Sequence, residues 1–202
     1  MSEAERWNQR YEAGDTPWDT GLPSCELQRV IEQEHVRPCR AIELGCGTGV
    51  NAVWLAQQGF DVTAIDLSPL ALERARHRAE SVGVKLRFLQ GDVLDPPREM
   101  GGPYEFVFDR GCYHAVRRLD VGRYLQTLDE VAAPGSRALI LAGNAREPHD
   151  PGPPVVSEDE IRAEIGRVME IVWLREFYFD QAEGVPVRFL GWSCFARRPT
   201  FK

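Results

Sequence analysis

With 202 residues, 43% hydrophobic and 27% charged, the chain has the size and balance of one globular domain, or of one domain with a terminal addition. Its formal net charge of −7 argues against a nucleic-acid face, which ordinarily needs a basic patch, and no apolar run approaches the roughly 18 residues of a membrane helix. The five cysteines are odd in number and lack C-x-x-C spacing, which argues against a disulfide framework and a zinc site and fits reduced thiols in a cytoplasmic protein; the polar, acidic start Met1 to Arg6 is unlike a secretory signal.

Residues 1–14 read as a helix with Trp7 and Tyr11 four apart on one face. A loop holding Trp18 follows, and Ser24 then caps a helix whose apolar face is Leu27, Val30 and Ile31. Residues 1–36 are thus an addition ahead of a core domain over 37–202. Their aromatic rings have two readings, a stripe packed on the domain or a lid over a ligand.

The core opens with the apolar run Ala41 to Leu44, which stops at Gly45-Cys46-Gly47-Thr48-Gly49. A helix over 51–58 follows at once. This is a strand–tight turn–helix in which glycine lets the backbone turn sharply and lie against a ligand. A second strand, Asp61 to Ile65, ends at Asp66, placed where an acid can accept both hydroxyls of a ribose. Pro69 opens the next helix, with Leu72, Ala75, Ala79 and Val82 inward. Lys85 to Leu89 is the third strand and runs into Asp92-Val93. Tyr104 to Phe108 is the fourth and ends at Asp109-Arg110-Gly111. Asp120 caps a helix carrying Val121, Tyr124, Leu125, Leu128, Val131 and Ala132, and Pro134-Gly135 stops it. Ala138 to Ala142 is the fifth strand. Residues 143–156 are a loop, and Ser157-x-x-Glu160 is a capping box for a helix with Ile161, Ile165 and Val168 inward. Two strands close the chain, Glu170 to Phe179 and roughly Val187 to Arg197. The short Asp180–Pro186 link between them cannot make a parallel crossover, which needs a dozen residues or more, so this pair is antiparallel.

Alternating strands and helices predict a doubly wound, Rossmann-like α/β sheet of seven strands with one reversed. Ligands of such sheets bind at the carboxyl ends of the strands, where Gly45, Asp66, Asp92 and Asp109 all fall. The glycine run is G-x-G-x-G, unlike the G-x-G-x-x-G of dinucleotide folds, and this disfavours a nicotinamide-dependent oxidoreductase. Glu43 precedes the run and no basic residue stands in it to meet a phosphate. Acid, glycines and ribose acid suit a cationic ligand with a ribose and no phosphate, and S-adenosyl-L-methionine is such a ligand.

Glu43 to Gly49 resembles the first motif of the class I S-adenosylmethionine-dependent methyltransferases. That resemblance implies the strand order 3-2-1-4-5-7-6 with strand 7 antiparallel. It also implies cofactor contacts from Glu43, Gly45, Cys46, Gly47, Gly49, Asp66, Leu67, Asp92, Val93 and Asp109. Asp92 would accept the adenine amino group and the Val93 N–H would meet a ring nitrogen; a turn acid capping the following segment is the plainer alternative for Asp92. Phe108-Asp109-Arg110-Gly111-Cys112-Tyr113-His114, together with Trp7-x-x-x-Tyr11 and Trp18-Asp19-x-Gly21-x-Pro23, is similar to the thiopurine and thiol S-methyltransferase branch, which includes halide- and chalcogen-methylating enzymes. This likeness is densest over residues 7–114 and implies an N-terminal helical lid laying Trp7, Tyr11 and Trp18 over the cofactor.

A thiol must ionise before it attacks a sulfonium methyl, and its free pKa is about 8.5. Arg110 is therefore the candidate for steadying a thiolate, and His114 for accepting a proton. Trp18 and Tyr113 are expected to line the acceptor pocket. The alternatives are an ion pair of Arg110 with Asp109 or a nearby acid, and a histidine hydrogen-bonded at a helix start. No Asn- or Asp-Pro-Pro-Tyr follows the fourth strand and no Pro-Cys nucleophile is present, so the expected substrate is a small molecule, with no nucleic acid, no membrane and no metal. The expected protein is a monomer or weak homodimer that methylates a soft nucleophile, a thiol first. O- or N-methylation of a metabolite, halide or chalcogen methylation, and cofactor binding without catalysis are the other readings.

Overall fold

The computed structural model describes residues 1–150, 152–181 and 188–200. Its elements in chain order are helices α1 (Glu3–Ala13) and α2 (Cys25–Gln33), then β1 (Arg40–Leu44), α3 (Val50–Gln57), β2 (Asp61–Asp66), α4 (Pro69–Ser81) and β3 (Arg87–Gln90). After a 3-10 turn at Arg98–Met100 come β4 (Tyr104–Arg110), α5 (Cys112–Val131), β5 (Ala132–Asn144), β6 (Val155–Val156), α6 (Glu158–Ile165), β7 (Glu170–Tyr178) and β8 (Leu190–Arg197). The sheet runs β3-β2-β1-β4-β5-β8-β7, with β6 beside the end of β5. Among the described residues only the two ladders that β8 makes are antiparallel. This is the expected order, renumbered because the two-residue β6 lies inside the stretch 143–156 read as loop.

The two-residue period of the strands sorts the core into layers. Ile42, Leu44 and Val107 pack with Tyr124, Leu128, Ile161 and Ile165 from α5 and α6. Ala41, Phe106 and Phe108 face the opposite layer, with Leu27, Val30, Ala52, Leu55 and Leu72 from α2, α3 and α4. Ala138 to Ala142 of β5 is buried throughout, as a central strand covered on both faces should be.

The N-terminal helix is independently capped, by a Ser2–Glu5 capping box and by Gly14 in the left-handed region. It is tied to α4: Arg74 Nη2 donates to the Tyr11 carbonyl at 3.0 Å, and Asn8 Oδ1 accepts from Ser68 Oγ and, at 3.4 Å, from the Leu70 N–H.

Several boundaries differ from expectation. Helix α5 starts at Cys112, well before Asp120, because the Asp109 carboxylate supplies the cap for its first turn. Asp120 breaks that helix in extended conformation, and its Oδ1 accepts from the Arg123 N–H at 2.9 Å, so it caps only the second half. Strand β5 begins at Ala132 because its lead exchanges hydrogen bonds with Arg198, as donor from Gly135 and as acceptor at Ser136. β3 lies slightly later than read, and the expected start of the last strand at Val187 falls outside the described residues. Among the described residues no helix is long and apolar enough to cross a membrane.

Candidate active site

Strand β1 ends in the glycine turn, which β2 and α4 brace from one side. Gly49 has φ +75°, and a Cβ there would lie 2.7 Å from the Ala75 Cβ on α4, so glycine permits the close approach of turn and helix. A Cβ on Gly47, at φ +54°, would meet the Tyr11 hydroxyl at 2.8 Å. Gly45 lies against Cys112 at the start of α5. The thiols of Cys46 and Cys112 are both pushed well up by burial, so neither is a reactive thiolate.

Glu43 faces the α3 layer and is 2% exposed. Its Oε1 accepts from Asn51 Nδ2 at 3.2 Å, and Asn51 is fixed in turn by the Ser24 N–H, which donates to its Oδ1 at 2.9 Å. The second oxygen, Oε2, is buried without a partner. Burial pushes the carboxyl up to about 8, against the pull of the Asn51 hydrogen bond, the Ala52 N–H and the Arg110 charge. Asp66 closes β2 with its carboxylate turned to the glycine turn: Oδ2 accepts from the Gly47 N–H at 2.7 Å and Oδ1 from the Ser68 N–H at 2.8 Å. Burial raises this carboxyl too, and the N–H groups of Ser68, Gly47 and Leu67 oppose the rise. Leu67 is half-buried in the turn into α4.

The aromatic residues ahead of the core lie together on the glycine turn. Trp18 is edge-on to Trp7 at 5.5 Å and to Tyr11 at 6.1 Å, with the Arg10 guanidinium 4.3 Å from its ring centre. Asp19 Oδ2 accepts from Thr48 Oγ1 at 2.6 Å. Arg110 Nη1 donates to the Trp18 carbonyl at 2.8 Å, and its guanidinium stands 5.4 Å from the Phe179 ring centre. Burial lowers the Arg110 pKa, while Asp180, Glu43 and Asp19 act against that.

Asp109 and Arg110 are neighbours on a strand and so face opposite layers. Asp109 is fully buried toward α5: its oxygens accept from the Cys112 and Tyr113 N–H groups and from the Tyr124 hydroxyl at 2.8 Å. Burial pushes it up to about 7. It braces the β4–α5 turn and does not reach for the cofactor, contrary to expectation. Tyr113 is also corrected as a pocket-lining residue, being fully buried with its hydroxyl donating to Glu164 Oε2 at 2.6 Å on α6.

The proton-accepting role read for His114 does not fit its environment. The Gly143 N–H donates to Nδ1 at 2.8 Å, so in the neutral ring the proton sits on Nε2 and no nitrogen is free to accept another. Burial, with Arg110 and Arg118 adding to it, pushes the imidazole down to about 3. His114 is thus a neutral hydrogen-bonded residue at a helix start. Asp92 Oδ1 accepts from the Leu94 N–H at 2.8 Å, the turn-acid geometry; the Val93 side chain is core and its carbonyl accepts from Thr127 Oγ1 at 2.7 Å.

Sequence reasoning assigned no role to Asn51, Thr48, Asp19 or Phe179. Asn51 was marked by being polar on the buried face of α3, and Thr48 and Asp19 sit inside motifs already singled out. Phe179 carried no signal, since its contact is with a residue far away in the chain. Together these groups fit S-adenosylmethionine. The unpartnered Glu43 oxygen suits a cationic donor, Gly45 is half-buried in the turn while Gly47 lies under the Tyr11 hydroxyl and Gly49 against Ala75, and Asp66 closes the neighbouring strand beside that turn.

The fold is that of the class I S-adenosylmethionine-dependent methyltransferases. By sequence the chain belongs to the thiopurine S-methyltransferase (TPMT) family, whose model matches residues 2–183. It is 30% identical over 154 residues to the 2-heptyl-1-hydroxyquinolin-4(1H)-one methyltransferase of Mycobacteroides abscessus, covering 74% of this chain and 66% of that one. It is 28% identical over 139 residues to the probable thiol methyltransferase 2 of Arabidopsis thaliana, covering 67% of this chain and 60% of the relative. The chain thus matches just under two thirds of the length of these relatives. A solved structure described as "Conversion of a Disulfide Bond into a Thioacetal Group during Echinomycin Biosynthesis" shares the fold, with a TM-score of 0.85 at 23% identity, over 100% of this chain and 93% of that one.

Proposed function

We propose that this chain methylates a small thiol with S-adenosylmethionine as donor. The observation that carries the reading is Arg110, a cation at the carboxyl end of β4 whose guanidinium faces the same layer as Glu43 and the glycine turn. The likeness to a relative named as a thiol methyltransferase supports it. Bound S-adenosylmethionine supplies a methyl group already activated on a sulfonium.

What remains for the protein is alignment and exclusion of water, and such positioning can supply roughly 7–11 kcal/mol. Glu43 and Asn51 hold the cationic amino end, Asp66 the ribose, and Asp92 with the Val93 N–H the adenine. Trp7, Tyr11 and Trp18 act as a lid over the site. Arg110 favours the ionised form of the acceptor. With His114 unable to accept a proton, the thiol loses its proton to solvent before attack.

The same cation suits the oxyanion of a hydroxy-heteroaromatic compound, and the name of the Mycobacteroides relative favours that second reading. The test is release of S-adenosylhomocysteine with a panel of aryl and alkyl thiols, sulfide, halides, oxyanions and a hydroxyquinolone. Turnover led by thiols is expected. Turnover confined to the hydroxyquinolone would establish the second reading.

A further inference from the structure

Trp18 and Asp19 are consecutive residues gripped by different strand-end loops. The Trp18 carbonyl is held at the end of β4 by Arg110, and the Asp19 carboxylate in the turn after β1 by Thr48. β1 and β4 are adjacent parallel strands at which the winding of the sheet reverses. That switch point is where sheets of this kind bind their ligands. The Trp18–Asp19 segment is therefore a strap tied to both walls of the crevice.

The Thr48 anchor is fixed from behind. Arg78 Nε donates to the Thr48 carbonyl at 3.1 Å, and Arg78 Nη2 donates to the hydroxyl oxygen at 3.5 Å. With its oxygen accepting from Arg78, the hydroxyl turns its proton to Asp19, making a cation–hydroxyl–carboxylate chain whose links polarise one another. Asp19 Oδ1 also accepts from the Gly21 N–H at 3.1 Å, which shapes the far end of the strap.

Building on the function proposed above, we propose that Asp19 is a positioning residue for methyl transfer. Its bond to Thr48 clamps the strap over the crevice and, through the Trp18 carbonyl, holds the Arg110 guanidinium toward the acceptor. Asp19 acts through Thr48 and Trp18.

The experiment compares Asp19→Ala, Asp19→Asn, Thr48→Val and the Asp19→Ala/Thr48→Val double variant with wild type. Affinity for S-adenosylhomocysteine is read by calorimetry, thermal unfolding by scanning, and the kinetic pKa from a pH–rate profile on one thiol. Asp19→Ala should bind the product about tenfold more weakly, the size of a lost charge-assisted hydrogen bond, and raise the kinetic pKa of the thiol because Arg110 is no longer held. Its Tm should fall by no more than a few degrees, since one hydrogen bond is lost and the strap lies outside the core layers. Asp19→Asn keeps an acceptor oxygen and should recover most of the loss. The double variant should be no worse than either single variant, because both break one contact. Wild-type affinity and kinetic pKa in Asp19→Ala, or losses that multiply in the double variant, would overturn the proposal. Failure of wild type to bind S-adenosylhomocysteine refutes the cofactor site itself. Binding without turnover of any thiol refutes the thiol reading and leaves the affinity comparison decisive for Asp19.

Discussion

Replacing Glu43 by Gln tests the charge logic of the glycine turn. In the folded, ligand-free chain burial holds Glu43 up to about 8, while an unfolded glutamate titrates near 4.3. Between those values the folded state keeps a proton that the unfolded state has lost. A folded acid with a raised pKa leaves stability undiminished below the unfolded value and takes it away as pH rises toward the folded one. The slope is about 1.4 kcal/mol per pH unit, which amounts to a penalty of about 4 kcal/mol by pH 7. Gln has the shape of the protonated acid, retains an oxygen for Asn51 Nδ2, and never ionises. Glu43→Gln should therefore be more stable than wild type at pH 7–8 and equal to it near pH 4. Chemical denaturation across this range is the assay. The difference between the two proteins is the quantity to follow, because Asp109 and His114 titrate over overlapping ranges in both. With S-adenosylhomocysteine bound, whose amino end is cationic, the gap should narrow: ligand affinity should fall by about 1.5–3 kcal/mol in the variant. Parallel stability curves for the two proteins from pH 4 to 8 would refute the reasoning.

Asp66→Ala should weaken S-adenosylhomocysteine binding by about 1.5–3 kcal/mol in calorimetry, and by more if the Gly47 N–H it anchors also shifts; unchanged affinity in a folded variant would rule out the ribose role. Gly49→Ala forces a side chain into φ +75° and against Ala75, so denaturation should show a loss of about 2–5 kcal/mol from strain and overpacking. Arg110→Met should still bind cofactor product, more weakly because the Trp18 anchor is lost, and lose activity at neutral pH, most for the least acidic thiol, with partial recovery at high pH; equal loss for alkyl and aryl thiols without recovery would reject the thiolate role. His114 should show no imidazole titration by NMR between pH 5 and 8. Its folded value near 3 means it contributes stability above the unfolded value of about 6.5 that is lost as pH falls toward 3. A midpoint near 6.5 would restore it as a candidate base.

The alternation of strands and helices and the reversed last strand were legible because they rest on local signals, glycine punctuation, apolar runs, and a link between β7 and β8 too short for a crossover, whereas the sheet order was what the resemblance of Glu43 to Gly49 implied. Glu43, Gly45, Gly47 and Asp66 come together for the same reason, since each ends a strand or lies in the turn beside it. The roles of Asp109, Tyr113 and His114 were not legible because their partners are remote in sequence. Tyr113 meets Glu164 51 residues on, and His114 meets Gly143 29 residues on. Spacing can mark a histidine beside a strand end, but only the fold shows that a β5 N–H occupies its acceptor nitrogen. The early start of α5 was hidden because its cap is Asp109, a residue still within β4.

The most direct measurement of the central claim is mass analysis of the product formed from S-adenosylmethionine carrying a trideuterated methyl group and an equimolar mixture of benzenethiol and phenol. Arg110 and direct displacement at the sulfonium methyl predict a thioether bearing the intact trideuteromethyl group, with S-adenosylhomocysteine released in equal amount. Label on the phenol oxygen with none on sulfur, under conditions where the protein binds S-adenosylhomocysteine, would contradict the account.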